Sequence, residues 1–161
     1  VTDTFHDFGY GPVEAHRHPN GSGWVANTAT VAPTAYVGPS AQVYGRAEVR
    51  DYAEAAGAAK VFGNAKVSGH AQVYGYAEIS DNAQVSDNAN ILDDAYVFEN
   101  AQVFGNAKVY ENAQVFGNAR VFGSAEISGR VALFGEAKIH RHTKISGRRY
   151  VEKGSKIHRV Y

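Results

Sequence analysis

A six-residue period constrains this chain more than any other feature. From Gly23-Trp24-Val25 to Arg159-Val160 the phrase Ala-x-Val-x-Gly-Asn, with small variations, recurs without insertion or deletion, so that 138 residues hold 23 repeats of six. So short a period, sustained over most of 161 residues, means a solenoid in which each unit packs only on its neighbours. Position one of the hexad is Ala in 18 of the 23 repeats, and position three is Val, Ile or Leu in all but one. Residues two apart on an extended chain share a face, so both positions point inward. Position two reads mostly Gln, Glu, Lys, Asn or Tyr and points out. Positions five and six are Gly, Asp or Glu and often Asn, as in Gly63-Asn64, Gly105-Asn106 and Gly117-Asn118. These residue types tolerate positive φ and make corners.

Each hexad is thus a short strand and a bend. Three hexads close a triangle, giving 18 residues per coil. Strands stacked coil on coil at ~4.8 Å predict a prism roughly 35 Å long. A helical reading fails because no 3.6-residue period is present. The expected fold is all-β: a triangular parallel β-helix over residues 23–161, with a non-repetitive cap or arm at 1–22. The end of a solenoid is an open sheet edge and an exposed core, which a cap would cover. Two repeats depart from the rule. Ala55 replaces the position-three Val and predicts a thin place in which the N-terminal arm could lie. Val131-Ala132-Leu133 enlarges both inward residues together, which predicts local repacking.

The phrases Ala101-Gln-Val-Phe-Gly-Asn106, Ala113-Gln-Val-Phe-Gly-Asn118 and Ala59-Lys-Val-Phe-Gly-Asn64 resemble the left-handed β-helix hexapeptide family, most closely bacterial YdcK-like β-solenoids. The resemblance spans about six-sevenths of the chain. It implies a left-handed coil and, because many left-handed β-helix proteins are trimers, a homotrimer. It implies little about activity, since the repeat is a folding motif.

Charge is unevenly placed. The formal net charge is zero, yet residues 138–161 carry eight bases and one acid, +7, and the rest of the chain carries eight bases and fifteen acids, −7. The stretch from Glu78 to Glu111 is especially acidic. Basic side chains at the C-terminal end would also block end-to-end stacking. There is no Cys, so disulfides, thiolate metal sites and a Cys nucleophile are excluded. No apolar run is long enough for a membrane helix, and the opening residues show no charged-then-apolar leader. The compartment is left open.

Residues 18 apart stack, which turns the sequence into vertical columns. One column reads Arg50, Ser68, Ser86, Phe104, Phe122, His140, His158, and the column beside it Glu48, Lys66, Gln84, Gln102, Arg120, Lys138, Lys156. The C-terminal half of this side is therefore both basic and aromatic: Arg120, Phe122, Lys138, His140, Lys156 and His158, with Arg141 and Arg159 at the corner. Charge attraction and ring stacking there would suit an anionic polymer such as an acidic glycan. Aromatic ladders that merely stabilise a sheet would look the same. A second side carries Tyr44, Phe62, Ser80, Phe98, Phe116 and Phe134, with Trp24, Tyr96 and Tyr150 beside them. Such a strip predicts a subunit interface or, less favoured, a sugar-stacking platform. The third side, with Tyr74, Leu92 and Tyr110, is shorter.

Enzyme readings are weaker. His16-x-His18 would put two imidazoles on one face of a strand, with His6 or Asp7 as a third ligand, and His140, His142 and His158 form a second cluster. Carbonic anhydrases of this fold use three His between subunits, and no match to their motif is evident. Acyltransferases on this fold break the coil with loops that shape the substrate pockets, and unbroken hexads leave no such loop. A polysaccharide lyase would need Arg or Lys for charge neutralisation and Tyr or His for proton abstraction, types present without a diagnostic spacing. Thr-x-Thr ladders, a phosphate loop, a Gly-x-Ser-x-Gly elbow and a DNA-recognition helix are all missing, so specific nucleic-acid binding is not expected. The expectation is a non-catalytic structural or binding module without a cofactor, with an acidic-polysaccharide lyase, acyltransferase or metal-dependent hydratase as the alternative.

Overall fold

A computed structural model describes residues 4–153. They form a parallel β-solenoid of about seven coils whose strands recur about 18 residues apart. Most strands are two residues long and sit at hexad positions two and three, as in Gln42–Val43 and Lys66–Val67. Three sheets result. The first face runs from Trp24–Ala26 to Arg148–Val151, the second from Thr30–Val31 to Lys138–Ile139, and the third from Tyr36–Val37 to Lys144–Ile145. Register is 18 throughout, as in Lys66↔Gln84 and Val67↔Val85.

The interior is the Ala/Val column read from the sequence. From Ala35 to Ile127 every position-one and position-three residue is buried in one continuous cluster. Each such strand after Tyr36–Val37, which stands at the edge of its sheet, has neighbours above and below, so its backbone hydrogen bonds are completed by adjacent coils, as in Lys66 N–H to Ala83 O at 2.9 Å and Ser68 N–H to Val85 O at 3.0 Å. Ala55 is fully buried on the third face, paired through its strand with Val37 above and Val73 below. The N-terminal arm does not lie against it, because an inward side chain offers nothing to a segment outside the coil. Val131 and Leu133 both turn inward within the four-residue strand Arg130–Leu133.

The N-terminal segment is an antiparallel hairpin. Strands β1 (Thr4–Asp7) and β2 (Pro12–Arg17) pair with each other, and β2 pairs antiparallel with β3 (Trp24–Ala26). The hairpin therefore fills the edge of the first face. Its turn is held by Asp7 Oδ1, which accepts the Gly9 and Gly11 amides at 2.7 and 2.9 Å. Phe8 and Ala15 pack with Ala26, Val13, Trp24 and Tyr44 into a small second core. His18 is buried and donates from Nε2 to the Ala35 carbonyl at 3.0 Å.

From Gly45 to Gly147 corners fall at position five, where φ is positive. Most are glycine, but Asp51, Asp81, Asp87, Asp93, Glu99 and Glu111 also hold φ between 56° and 60°. L-residues rarely rest there. Each of these six carboxylates accepts the backbone N–H of the residue one coil on: Gly69, Glu99, Gly105, Glu111, Gly117 and Gly129, at 2.5–3.0 Å. The acidity between Glu78 and Glu111 is in large part this chain of coil-to-coil bonds.

Candidate binding faces

The second face changes character along its length. Near the N-terminal end Glu48 takes Arg50 at 2.5 Å and Lys66 at 3.6 Å, so both cations have an acid partner. Position four there is Ser68 and Ser86. Further on, the rings of Phe104, Phe122 and His140 stack, with centroids 5.0 and 5.3 Å apart and planes inclined by 2° and 26°. The cause is the register: residues 18 apart on a parallel sheet stand one strand spacing apart, close to the separation of stacked rings.

Arg120 lies against this stack. Its guanidinium is 5.2 Å from the Phe104 centroid and 5.8 Å from that of Phe122, within range of a cation–π attraction. Its Nε is buried without a hydrogen-bond partner. Lys138 is its strand partner on the next coil. Among the described residues no carboxylate stands within salt-bridge distance of Arg120 or Lys138. Glu136, the nearby acid, is bound by Lys153 at 2.5 Å, and that bond, aided by Lys138, holds its carboxyl below the usual range. His140 and Arg141 are exposed at the same end. Lys156 and His158 lie outside the described residues. So the structure brings together four of the six residues expected on this surface: Arg120, Phe122, Lys138 and His140.

The aromatic strip of the first face is shorter than the column suggests. Tyr44 and Phe62 stack at 4.9 Å, Ser80 interrupts, and Phe98, Phe116 and Phe134 resume at 4.8 and 5.6 Å. All five rings are half-buried by one another. Phe8 and Tyr10 of the hairpin cover the N-terminal part, at 4.8 and 5.8 Å from Tyr44. The uncovered part is Phe98 to Phe134, flanked by the exposed Tyr96 and Tyr150.

The N-terminal histidines are taken up by the cap. His16 is exposed and its Nδ1 meets Asn27 Oδ1 at 2.9 Å, while His18 turns into the solenoid. His6 stacks on Trp24 at 4.4 Å, and burial followed by the charge of Arg17 lowers its pKa. Arg17 covers the same indole at 4.0 Å and donates to the Ser22 and Pro39 carbonyls. Among the described residues no group of three or more His, Asp or Glu is placed to hold a metal ion. No helix of the described residues is long and apolar enough to cross a membrane.

Fold and register define the chain as a parallel β-solenoid of hexapeptide type. Its repeat is more particular than that: the family described as YdcK Beta solenoid repeat matches residues 113–129, and the repeat is YdcK-like. No curated protein and no solved structure matches the chain.

Proposed function

We propose that this β-solenoid is a non-catalytic binding module whose basic, aromatic end of the second face takes an anionic polymer such as an acidic glycan. The observation that carries the reading is Arg120, set against two phenylalanine rings and followed on the next coil by Lys138, with no carboxylate of the described residues within salt-bridge distance of either. Cations one strand spacing apart present a line of positive charge along the solenoid axis, and the rings beside them offer flat surfaces to the sugar. The Phe98–Phe116–Phe134 ladder is where we propose that copies associate, as a homotrimer.

Titration of the intact protein with a polyuronate tests the reading. Affinity should fall steeply as salt rises, and should fall about tenfold in Arg120→Ala or Lys138→Ala. Salt-independent binding, or binding unchanged in both variants, overturns it. An activity screen on polyuronate and acyl substrates, with and without chelator, addresses the enzyme alternative. Turnover that disappears in a folded His140→Ala variant would replace the binding reading with a catalytic one.

A further inference from the structure

The third face carries a hollow near the N-terminal end. Asn20, Thr34, Tyr36, Tyr52 and Glu54 line an open depression of about 330 Å³, within the size range of small-molecule sites. Position four of this face holds Tyr74, Leu92 and Tyr110 further along, but Gly38 and Ala56 here, so the surface falls away. Tyr36 and Glu54 stand on successive rungs. Tyr52 stands at the corner, 60% exposed, with its ring parallel to that of His70 at 5.3 Å.

Apart from the Tyr36 and Tyr52 hydroxyls, the chemistry of the lining is one-sided. The Tyr74 hydroxyl donates to Glu54, and the Thr34 hydroxyl donates to the Asp51 carbonyl. Asn20 uses its Nδ2 on the Ala35 carbonyl at 3.0 Å. With these donors committed, Glu54, Thr34 and Asn20 offer a ligand mainly acceptor oxygens. No Lys or Arg is among the described residues that line the hollow. Glu54 also differs from the other position-two acids of the repeat. Glu48, Glu78 and Glu126 each hold a Lys of an adjacent coil at 3.0–3.6 Å. The rung neighbours of Glu54 are Tyr36 and Gln72, and no Lys or Arg of the described residues reaches it. A carboxylate left without a cation, beside tyrosine rings whose faces attract positive charge, suits an organic ammonium group.

We infer that this hollow binds a small organic ammonium ligand, such as a quaternary amine or an amino sugar. It lies on a different face from the polyanion surface and selects the opposite charge, so the two readings stand or fall separately. The test is an NMR titration of the intact protein with tetramethylammonium, glucosamine and glucose, following the ring signals of Tyr36 and Tyr52. Both cations should give saturating shifts and glucose none. Glu54→Gln should weaken cation binding about tenfold, and Tyr52→Ala should weaken it too. Thermal melts of Glu54→Gln and Tyr52→Ala by circular dichroism, unchanged from the parent, show that the lost binding is not lost folding. Glucose binding as well as glucosamine, an unchanged affinity in Glu54→Gln, or no saturation by either cation overturns the inference.

Discussion

The two halves of the second face share one backbone and present two surfaces. Both rest on the same inward Val column, Val49, Val67 and Val85 in one half and Val103 and Val121 in the other, all buried. Outside, the N-terminal half closes its charges within itself, with Glu48 taking both Arg50 and Lys66. The C-terminal half leaves Arg120 against Phe104 and Phe122 with no acid of the described residues in salt-bridge reach. In a fold of this kind the inward residues answer to stacking and are nearly interchangeable. The outward residues are held in register by the coil and are otherwise free to vary, so differences between halves are where binding should be sought.

The largest effect should come from breaking what the halves share. Val67→Asp and Val121→Asp each place a charge in the dry Ala/Val interior, which costs several kcal/mol, about 3–5 by analogy with an unpaired buried charge. Both should unfold the chain in thermal melts followed by circular dichroism. Lys66→Ala and Arg120→Ala, one residue earlier on the same strands, should stay within about 1 kcal/mol of the parent. If a core change were tolerated in one half alone, the two would not be equivalent inside.

A smaller effect should sharpen the outer difference. Glu48→Gln removes the carboxylate that occupies Arg50 and Lys66 and leaves their rung geometry in place. If polyanion affinity depends on cations free of acids, this variant should gain about threefold, or ~0.6 kcal/mol, in the polyuronate titration. The two surface ion pairs it breaks are worth little to folding. An unchanged affinity would mean that the rings at Phe104 and Phe122, absent from this half, are required as well.

How far each half can be read from sequence follows the same division. The period placed Ala and Val inside and fixed the 18-residue register, so Arg120 over Lys138 and Phe104 over Phe122 were legible as neighbours. The column could not show that the guanidinium of Arg120 lies against the rings, because that depends on side-chain rotamers. Nor did it show that the corner acids bond the amide one coil on: at Asp93 or Glu99 the letters read only as turn formers. The hairpin was legible as a cap but not in its antiparallel pairing, since residues 1–22 carry no period. The hollow at Tyr36, Tyr52 and Glu54 had one signal, the small Gly38 and Ala56 at position four, whose meaning needs the fold.

The corner carboxylates lie between the halves in effect. Asp93 occupies φ 59° and accepts the Glu111 amide at 3.0 Å. Asp93→Ala removes the acceptor and keeps, as the parent does, a Cβ in the left-handed region, so its cost of about 1–3 kcal/mol is mainly the lost bond. Asp93→Gly also removes the acceptor but relieves the backbone, so it should lose less. Denaturant melts of the two variants separate the hydrogen bond from the conformational term. Equal losses would mean that conformation contributes nothing and the bond carries the whole effect.

The smallest effect concerns the aromatic ladders. The one at Phe104 and Phe122 carries no phenol. The ladder on the first face begins with Tyr44, packed between Phe8 at 4.8 Å and Phe62 at 4.9 Å. Burial, with the charge of Glu78 and then Tyr10 adding to it, pushes the Tyr44 phenol up to about 12. Tyr74 on the third face is likewise raised to about 12, first by burial and then by its bond to Glu54. A raised phenol favours the neutral form in the folded chain. The folded state therefore holds more protons than the unfolded one between the ordinary phenol value, about 10, and about 12. The stability these groups contribute is fully present below pH 10 and is lost as pH rises toward about 12. Tyr44→Phe keeps the stacked ring and removes one ionisation, so its melting temperature should fall less steeply across that window. Adding Tyr74→Phe should flatten it further. A double variant that lost stability as steeply as the parent would place the alkaline sensitivity in other groups.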